Sequence, residues 1–305
     1  MVIRTKTSAA LVFNPGAGRL SQTDRDGVVG VLRDHFTLEV IETAGRGSGL
    51  HHARELAGAG VKLVIAFGGD GIVNEVVNGV AGTATSLGIV PGGTMNVFAR
   101  ALGLPASLKA SAEMLVKRVE APPRQVHLGK MGDRLFTFAA GCGFDAEAAE
   151  LVERDVPNKR RFGEIFFYWN AARVLAGTYR HRDPSMTISG AFGEVPVSMA
   201  IACNAGPYAY LAGRAVNLAP EVEISQGLDL FALRRMRLEA LGFYAWASVV
   251  SGSISRHKDA FLAHDLETFT VSSDVPFARH VDGEPLGPAM AETFSLQRNA
   301  LRVLA

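Results

Sequence analysis

Cysteine is nearly absent: Cys142 and Cys203 are the only two and form no Cys-x-x-Cys pair, which excludes a disulfide framework and a thiolate zinc site. Neither sign of charge predominates, because 31 Lys and Arg against 30 Asp and Glu leave a formal net charge of +1. Nothing electrostatic therefore argues for a nucleic-acid partner. Unbroken hydrophobic runs are also lacking. One long uncharged stretch, residues 195–213, contains Pro196, Asn204 and Pro207, which would strand backbone groups in lipid, so it reads as buried strand and loop. Leu241–Val250 is short and suits a core helix. The first residues pass from a short basic segment straight into a strand-like run, without the apolar core and cleavage site of an export signal. The expectation is a reducing, cytoplasmic compartment. Internal repeats and low-complexity segments are absent. So are the Walker GxxxxGK[ST], a GxGxxG joining the first strand to its helix, HExxH, GxSxG and the kinase set of HRD with DFG.

What is present is a globular composition, 48% hydrophobic and 20% charged over 305 residues, enough for two domains at roughly 150 residues each. Short apolar runs at Ala9–Phe13, Thr37–Ile41, Lys62–Phe67 and Ser86–Val90 alternate with helical patterns at Asp24–His35, Gly49–Ala59 and Ile72–Val80. Two further helical patterns follow at Met95–Leu102 and Ser107–Val119. This alternation predicts a parallel sheet covered on both faces, which binds ligands at the carboxyl ends of its strands. Pro122-Pro123 breaks the pattern. Beyond it, strand-like runs occur at Arg124–Leu128, Arg134–Ala140, Ser185–Ser189, Val195–Cys203, Leu228–Leu233, Thr268–Ser272 and Phe277–Val281. Helices are expected at Asp145–Arg154, Arg161–Thr178 and Leu238–Ser251, so the second half reads as an antiparallel, β-rich domain.

Glycine-bearing turns close three of the first strands. Gly68-Gly69-Asp70-Gly71 leads into the helix that carries Ile72, Asn74 and Glu75; Pro91-Gly92-Gly93-Thr94 leads into the next; Asn14-Pro15-Gly16-Ala17-Gly18 follows the first strand. Glycine lets backbone approach a bulky anion, and a helix start directs unpaired N–H groups at it. Packing alone can explain one such turn, and Asp70, Glu75 and Thr94 can each serve as helix-capping or dipole residues. Three turns at neighbouring strand ends point to a nucleotide pocket. A carboxylate at Asp70 would repel phosphate unless a cation lies between them.

Taken together, FNPGAG at 13–18, GGDGIVNEVVNG at 68–79, PGGTMNVFARALGLP at 91–105 and AAGCGFDAE at 139–147 resemble the diacylglycerol kinase catalytic family, soluble bacterial lipid kinases in particular. So do CNAGPYAYLAG at 203–213, LAPEVEISQGLDL at 218–230 and VDGEPL at 281–286. GGDG alone is shared with NAD kinases and phosphofructokinase-like folds. The resemblance implies an α/β nucleotide-binding domain at residues 1–123 and a larger, sandwich-like β domain at 124–287, with ATP held between them. A tail from about residue 288 would return to the first domain. It implies ATP as phosphoryl donor, with Mg²⁺, and nucleotide contacts from Asn14, Thr43, Gly68, Gly69, Asp70, Gly71, Ile72, Asn74, Glu75 and Thr94. It places the proton acceptor for a lipid hydroxyl at Glu284 with Asp282 in support. Read without it, Asp-Gly-Glu is a polar hairpin turn.

Two positions depart from the family pattern: Val97 stands where Asp is usual, as does Gln226. Both acids belong to the ordered metal and water network of the family, so Glu223, Gln226 and the Leu228 carbonyl are the donors left for a structural Mg²⁺. Gln226 is a neutral, weaker oxygen ligand. Lys159-Arg160-Arg161 ahead of Phe162, Ile165, Phe166 and Trp169 can rest on an anionic membrane surface, where a lipid substrate would be met, or form a core helix with a solvated basic end. The reading is thus a cytoplasmic lipid kinase, peripheral on the inner membrane face. Its rivals are an NAD-kinase-like transferase and a non-catalytic nucleotide or lipid sensor. Oligomeric state is not encoded legibly, and a homodimer is allowed.

Overall fold

A computed structural model of the chain describes residues 6–15, 20–154, 170, 173, 177, 184–211, 214–236 and 254–305. It divides into two compact units, Met1–His127 with Arg298–Ala305, and Leu128–Gln297. The sequence reading put these divisions at 123 and about 288. The divisions between the two units lie inside continuous strands, β5 (Arg124–Met131) and β18 (Ala289–Val303).

The first unit runs β1 (Thr7–Phe13), α1 (Gln22–His35), β2 (Phe36–Glu42), α2 (Ser48–Gly58), β3 (Leu63–Gly68), α3 (Asp70–Val80), β4 (Ser86–Pro91), α4 (Val97–Ala101) and α5 (Leu108–Arg118). The strands lie in the order β2-β1-β3-β4, all parallel, and the end of β18 joins β4 in parallel through Arg302 and Val303. Sequestration on both faces explains the continuous apolar runs: all six residues of β3 are buried. Ala9, Leu11 and Phe13 share one core with Leu63, Ile65 and Phe67 and with Val28 and Leu32 of α1 and Leu115 of α5. On α2 and α3, Ala53, Val76 and Val77 are buried, and a Cβ at Gly79 would sit 2.5 Å from that of Ala53, so glycine sets how closely these helices approach. Ser21 and Asp24 form a reciprocal capping box that starts α1.

The second unit is built on antiparallel strands. One sheet has the order β14-β13-β10-β7-β16-β17, from Ala260–Leu266, Leu228–Leu233, Met199–Cys203, Ala139–Gly143, Arg279–Val281 and Glu284–Pro285. In the other, β15 (Thr268–Phe277) pairs with β18 on one side and β8 (Met186–Gly190) on the other, and β8 pairs with β9 (Gly193–Val197). Alternate residues of both sheets meet in one core: Ala200, Ala202, Leu228, Leu230 and Ala232 from the first, Ile188, Val195, Val197, Phe269 and Phe294 from the second. This is sandwich packing. The Phe269 and Phe294 rings stack at 4.6 Å. Two runs expected as single strands are divided. Residues 195–203 split at Ser198 into β9 and β10, which belong to different sheets, and residues 134–140 split into β6 (Arg134–Phe136) and β7. Helix α6 (Phe144–Arg154) follows β7. The helices expected over 161–178 and 238–251 lie outside the described residues, apart from 170, 173 and 177.

Candidate active site

In the first unit the parallel register brings the carboxyl ends of the strands level: Phe13 is beside Glu42 and Phe67, and Gly68 is beside Pro91. Each expected nucleotide-contacting residue follows one of these ends. Asn14 is half-buried, while Gly16, Ala17, Gly18 and Arg19 lie outside the described residues. Thr43 donates its N–H to the Phe13 carbonyl at 2.9 Å, which locks the β2 exit to the β1 exit. Thr43 is only 4% exposed, yet among the described residues its Oγ1 has no hydrogen-bond partner. Leaving a buried hydroxyl unpaired costs about 1–3 kcal/mol.

The β3 and β4 exits pack back to back. The Gly92 N–H donates to the Gly68 carbonyl at 2.8 Å. A Cβ on Gly93 would lie 2.5 Å from the Gly69 Cα, closer than any side chain tolerates. Gly68 has φ +147 and abuts Ile72, so Ile72 serves to support the turn. Asn96, itself at φ 48, clasps the second turn: its Oδ1 accepts the Gly93 N–H at 2.9 Å and its Nδ2 donates to the Gly93 carbonyl at 2.8 Å. Thr94 is left exposed at the tip, and Asp70 and Gly71, both half-buried, open α3 after Gly69, its N-cap.

Asn74 and Glu75 turn inward. Asn74 is fully buried and its Oδ1 accepts from Asn78 Nδ2 at 3.1 Å. The Glu75 carboxylate accepts the N–H of Gly47 and that of Gly49, each at 2.7 Å. It thereby caps the start of α2 from α3, a favourable place for an anion. Glu75, expected as a nucleotide contact, also holds the Gly47 and Gly49 backbone in place.

In the second unit the acidic pair sits on the β16–β17 hairpin, whose two turn residues, Asp282 at φ 48 and Gly283 at φ 79, are left-handed as a two-residue hairpin requires. Asp282 is 7% exposed. One oxygen accepts the Thr137 N–H and hydroxyl, both at 2.8 Å, and the other accepts the N–H groups of Phe138 and Ala139 at 3.0 and 3.1 Å. Burial pushes its pKa up, and the four donors oppose that shift. Asp282 thus clamps its turn to the β6–β7 segment, and its lone pairs are committed there. Glu284 is half-buried, with Arg134 Nη2 3.6 Å from its Oε2.

Sequence reasoning did not single out Arg134, nor the chain beneath the hairpin. His280 Nε2 meets Asp145 Oδ2, Asp145 Oδ1 accepts the Tyr208 hydroxyl at 2.7 Å, and His280 Nδ1 accepts the Gly283 N–H at 3.2 Å. The available signal was Asp145 within GFDAE and His280 two residues before the acidic pair.

The remaining donors do not fit a resident cation. Glu223 is exposed and its carboxylate accepts from Gln226 Nε2 at 3.2 Å, while the Gly227 N–H is taken by Asp265. Leu228 is buried at the start of β13, and Val97 is a buried apolar side chain. Among the described residues no group of three His, Cys, Asp or Glu is placed to hold a metal ion. Cys142 and Cys203 are buried, with thiols pushed far up by desolvation, which fits packing rather than nucleophilic chemistry. Among the described residues no helix is long and apolar enough to cross a membrane.

Residues 8–131 match the family model described as the diacylglycerol kinase catalytic domain. A protein of Bacillus subtilis named diacylglycerol kinase is 30% identical over 251 residues, covering 75% of each chain. A probable YegS-like lipid kinase of Chromohalobacter salexigens is 38% identical over 157 residues, which is 50% of this chain and 49% of that protein, so this match spans about half its length. A crystal structure titled as a putative diacylglycerol kinase from Bacillus anthracis superposes with TM-score 0.75 at 23% identity, over 99% of this chain and 98% of the other, which establishes a common fold.

Proposed function

The chain belongs to the diacylglycerol kinase family, and from that premise we propose that it is an ATP-dependent kinase acting on a hydroxyl of diacylglycerol or a related lipid. The observation that carries the reading is the contact between Gly69 and Gly93, which places two helix-leading turns together at the level edge that also holds the unpaired Thr43 hydroxyl. Such an edge suits the phosphates of a nucleotide. Backbone N–H groups at 69–71 and that of Thr94 would hold the phosphates, with the Thr94 hydroxyl as a further donor, while the Gly92 and Gly93 N–H groups tie the two turns together. Thr43 and Asn14 would bind the nucleotide, and Asp70 would face the Mg²⁺ that accompanies ATP as part of the substrate.

In the transfer step the lipid O–H gives its proton to the Glu284 carboxylate as its oxygen bonds to the γ-phosphorus. The bond from that phosphorus to the β,γ-bridging oxygen breaks, and ADP leaves. Asp282 fixes the hairpin through its four accepted hydrogen bonds, and Arg134, 3.6 Å from the Glu284 carboxylate, orients it. No step calls on a second, structural metal.

Purified protein given labelled ATP, Mg²⁺ and detergent-dispersed diacylglycerol, phosphatidylglycerol or a sphingoid base should yield a phosphorylated lipid. Glu284→Gln should lower kcat by about 10²- to 10⁴-fold, the usual contribution of a positioned base. A rate within a few-fold of wild type would remove Glu284 from the chemistry. The apolar Val97 and the neutral Gln226 favour one second reading, a nucleotide or lipid sensor. ATP binding without transfer to any lipid would select it, and phosphorylation of NAD alone would select a different transferase.

A further inference from the structure

The hairpin that presents Glu284 is too small to hold its own shape. Strands β16 and β17 contribute three and two residues, and the turn between them places a non-glycine residue, Asp282, at φ 48. An isolated hairpin of this size is unstable in water, even with Asp-Gly, a pair suited to its left-handed turn. Outside restraints must supply the difference. The ladder between β16 and β7 provides one, and Asp282 a second through the 137–139 segment. A third acts on Gly283, whose N–H has no partner inside a two-residue turn and donates instead to His280 Nδ1 at 3.2 Å.

That contact fixes the state of the imidazole. A backbone N–H only donates, so Nδ1 must carry a lone pair, and the ring proton resides on Nε2, directed at Asp145 Oδ2. Asp145 in turn accepts the Tyr208 hydroxyl through its other oxygen at 2.7 Å. His280 is 1% exposed and Asp145 6%. Room for the pair comes from Gly141 on the adjoining strand, where a Cβ would lie 2.6 Å from His280 Nε2 and 2.9 Å from Asp145 Oδ2. Tyr208, Asp145 and His280 therefore form a single chain of hydrogen bonds that ends on the backbone one residue before Glu284.

We propose that His280, oriented by Asp145 and Tyr208, is a positioning residue that sets the direction of the Glu284 carboxylate by holding the Gly283 N–H. The inference rests on the reading of Glu284 as proton acceptor. His280 does not touch substrate; it acts through the turn. Loss of its acceptor atom should slow transfer and leave nucleotide binding as it was.

The test separates the two nitrogens. His280→Asn keeps an acceptor near the Nδ1 position, whereas His280→Gln keeps a donor near the Nε2 position and loses the acceptor. His280→Gln should lower kcat about 10- to 100-fold with KM for ATP within about two-fold, the scale expected of a displaced catalytic group, and His280→Asn should recover most of that loss. In a Glu284→Gln background His280→Gln should cost less than about two-fold more, because both act through one group. If it costs as much there as alone, while Glu284→Gln by itself is severely impaired, the positioning role is overturned and the base assignment survives. A fully active Glu284→Gln overturns both. Should the variants not fold, ¹⁵N-histidine NMR on the wild-type chain decides: an unprotonated Nδ1 coupled to the Gly283 amide is expected, and a protonated Nδ1 refutes the inference.

Discussion

Gly93→Ala puts the contact between the two glycine turns after β3 and β4 under direct strain. The new methyl would lie 2.5 Å from the Gly69 Cα and 2.8 Å from the Asn96 Oδ1. Non-bonded carbons settle at about 3.5–4.0 Å, so the turns must part by roughly 1–1.5 Å. Neither neighbour yields easily, since Gly69 is backbone and Asn96 is held by its two bonds to Gly93. Overpacking of this kind costs about 1–3 kcal/mol. If these turns grip the transferring phosphate as proposed, a shift of about 1 Å should lower the rate on the order of 10²-fold. The assays are thermal melting and lipid phosphorylation at varied ATP, and we expect a lower Tm, a raised KM for ATP and a lowered kcat. Gly27→Ala is the control: nothing lies within 4 Å of its Cβ, it sits inside α1, and alanine there should stabilise by about 0.5–1 kcal/mol. Wild-type Tm and kinetics for Gly93→Ala would show that the turns do not act as one anion-binding surface.

Thr43→Val removes the buried hydroxyl that lacks a partner, so the protein should be no less stable while ATP binds about 2- to 10-fold more weakly by calorimetry; an unchanged Kd would take Thr43 out of the nucleotide site. The Ser21 hydroxyl and N–H hold the Asp24 carboxyl below its ordinary pKa. Its stabilising effect is thus complete above the unfolded value of about 3.9 and disappears as pH falls through the lowered folded value, so wild type should melt higher than Asp24→Asn at neutral pH and lose that advantage in acid. Excess chelator should abolish phosphoryl transfer by stripping the nucleotide's Mg²⁺ yet leave Tm unaltered, since Glu223 and Gln226 are bonded to one another; a fall of several degrees would reveal a resident cation.

The strands of the first unit were legible within a residue or two because a sheet covered on both faces demands short, wholly apolar runs, as in LVIAFG of β3. Strands β14 and β18 escaped notice. No residue of AFLAHDL is fully buried and only scattered residues of AMAETFSLQRNALRV are, and their exposed positions carry His264, Asp265 and Arg298. The apolar continuity of 195–203 concealed a change of sheet at Ser198, whose N–H leaves the ladder for the Leu233 carbonyl. Residues 134–140 read as one strand, but Thr137 and Phe138 direct their N–H groups to Asp282, 145 and 144 positions away.

The order of residues alone determined the parallel first unit, the glycine turns at its strand ends and the acidic hairpin, because each depends on local rules: hydrophobic period, backbone freedom at glycine, and turn chemistry. Tertiary structure decided what each polar group does. Asp282 became a clamp and Glu75 a helix cap because donors far away in the chain reached them first. His280 gained its place beneath Glu284 because Asp145 and Gly141 arrive on other elements. A carboxylate or imidazole is defined by the hydrogen bonds it has already made, and those partners come from segments that no window of neighbouring sequence contains.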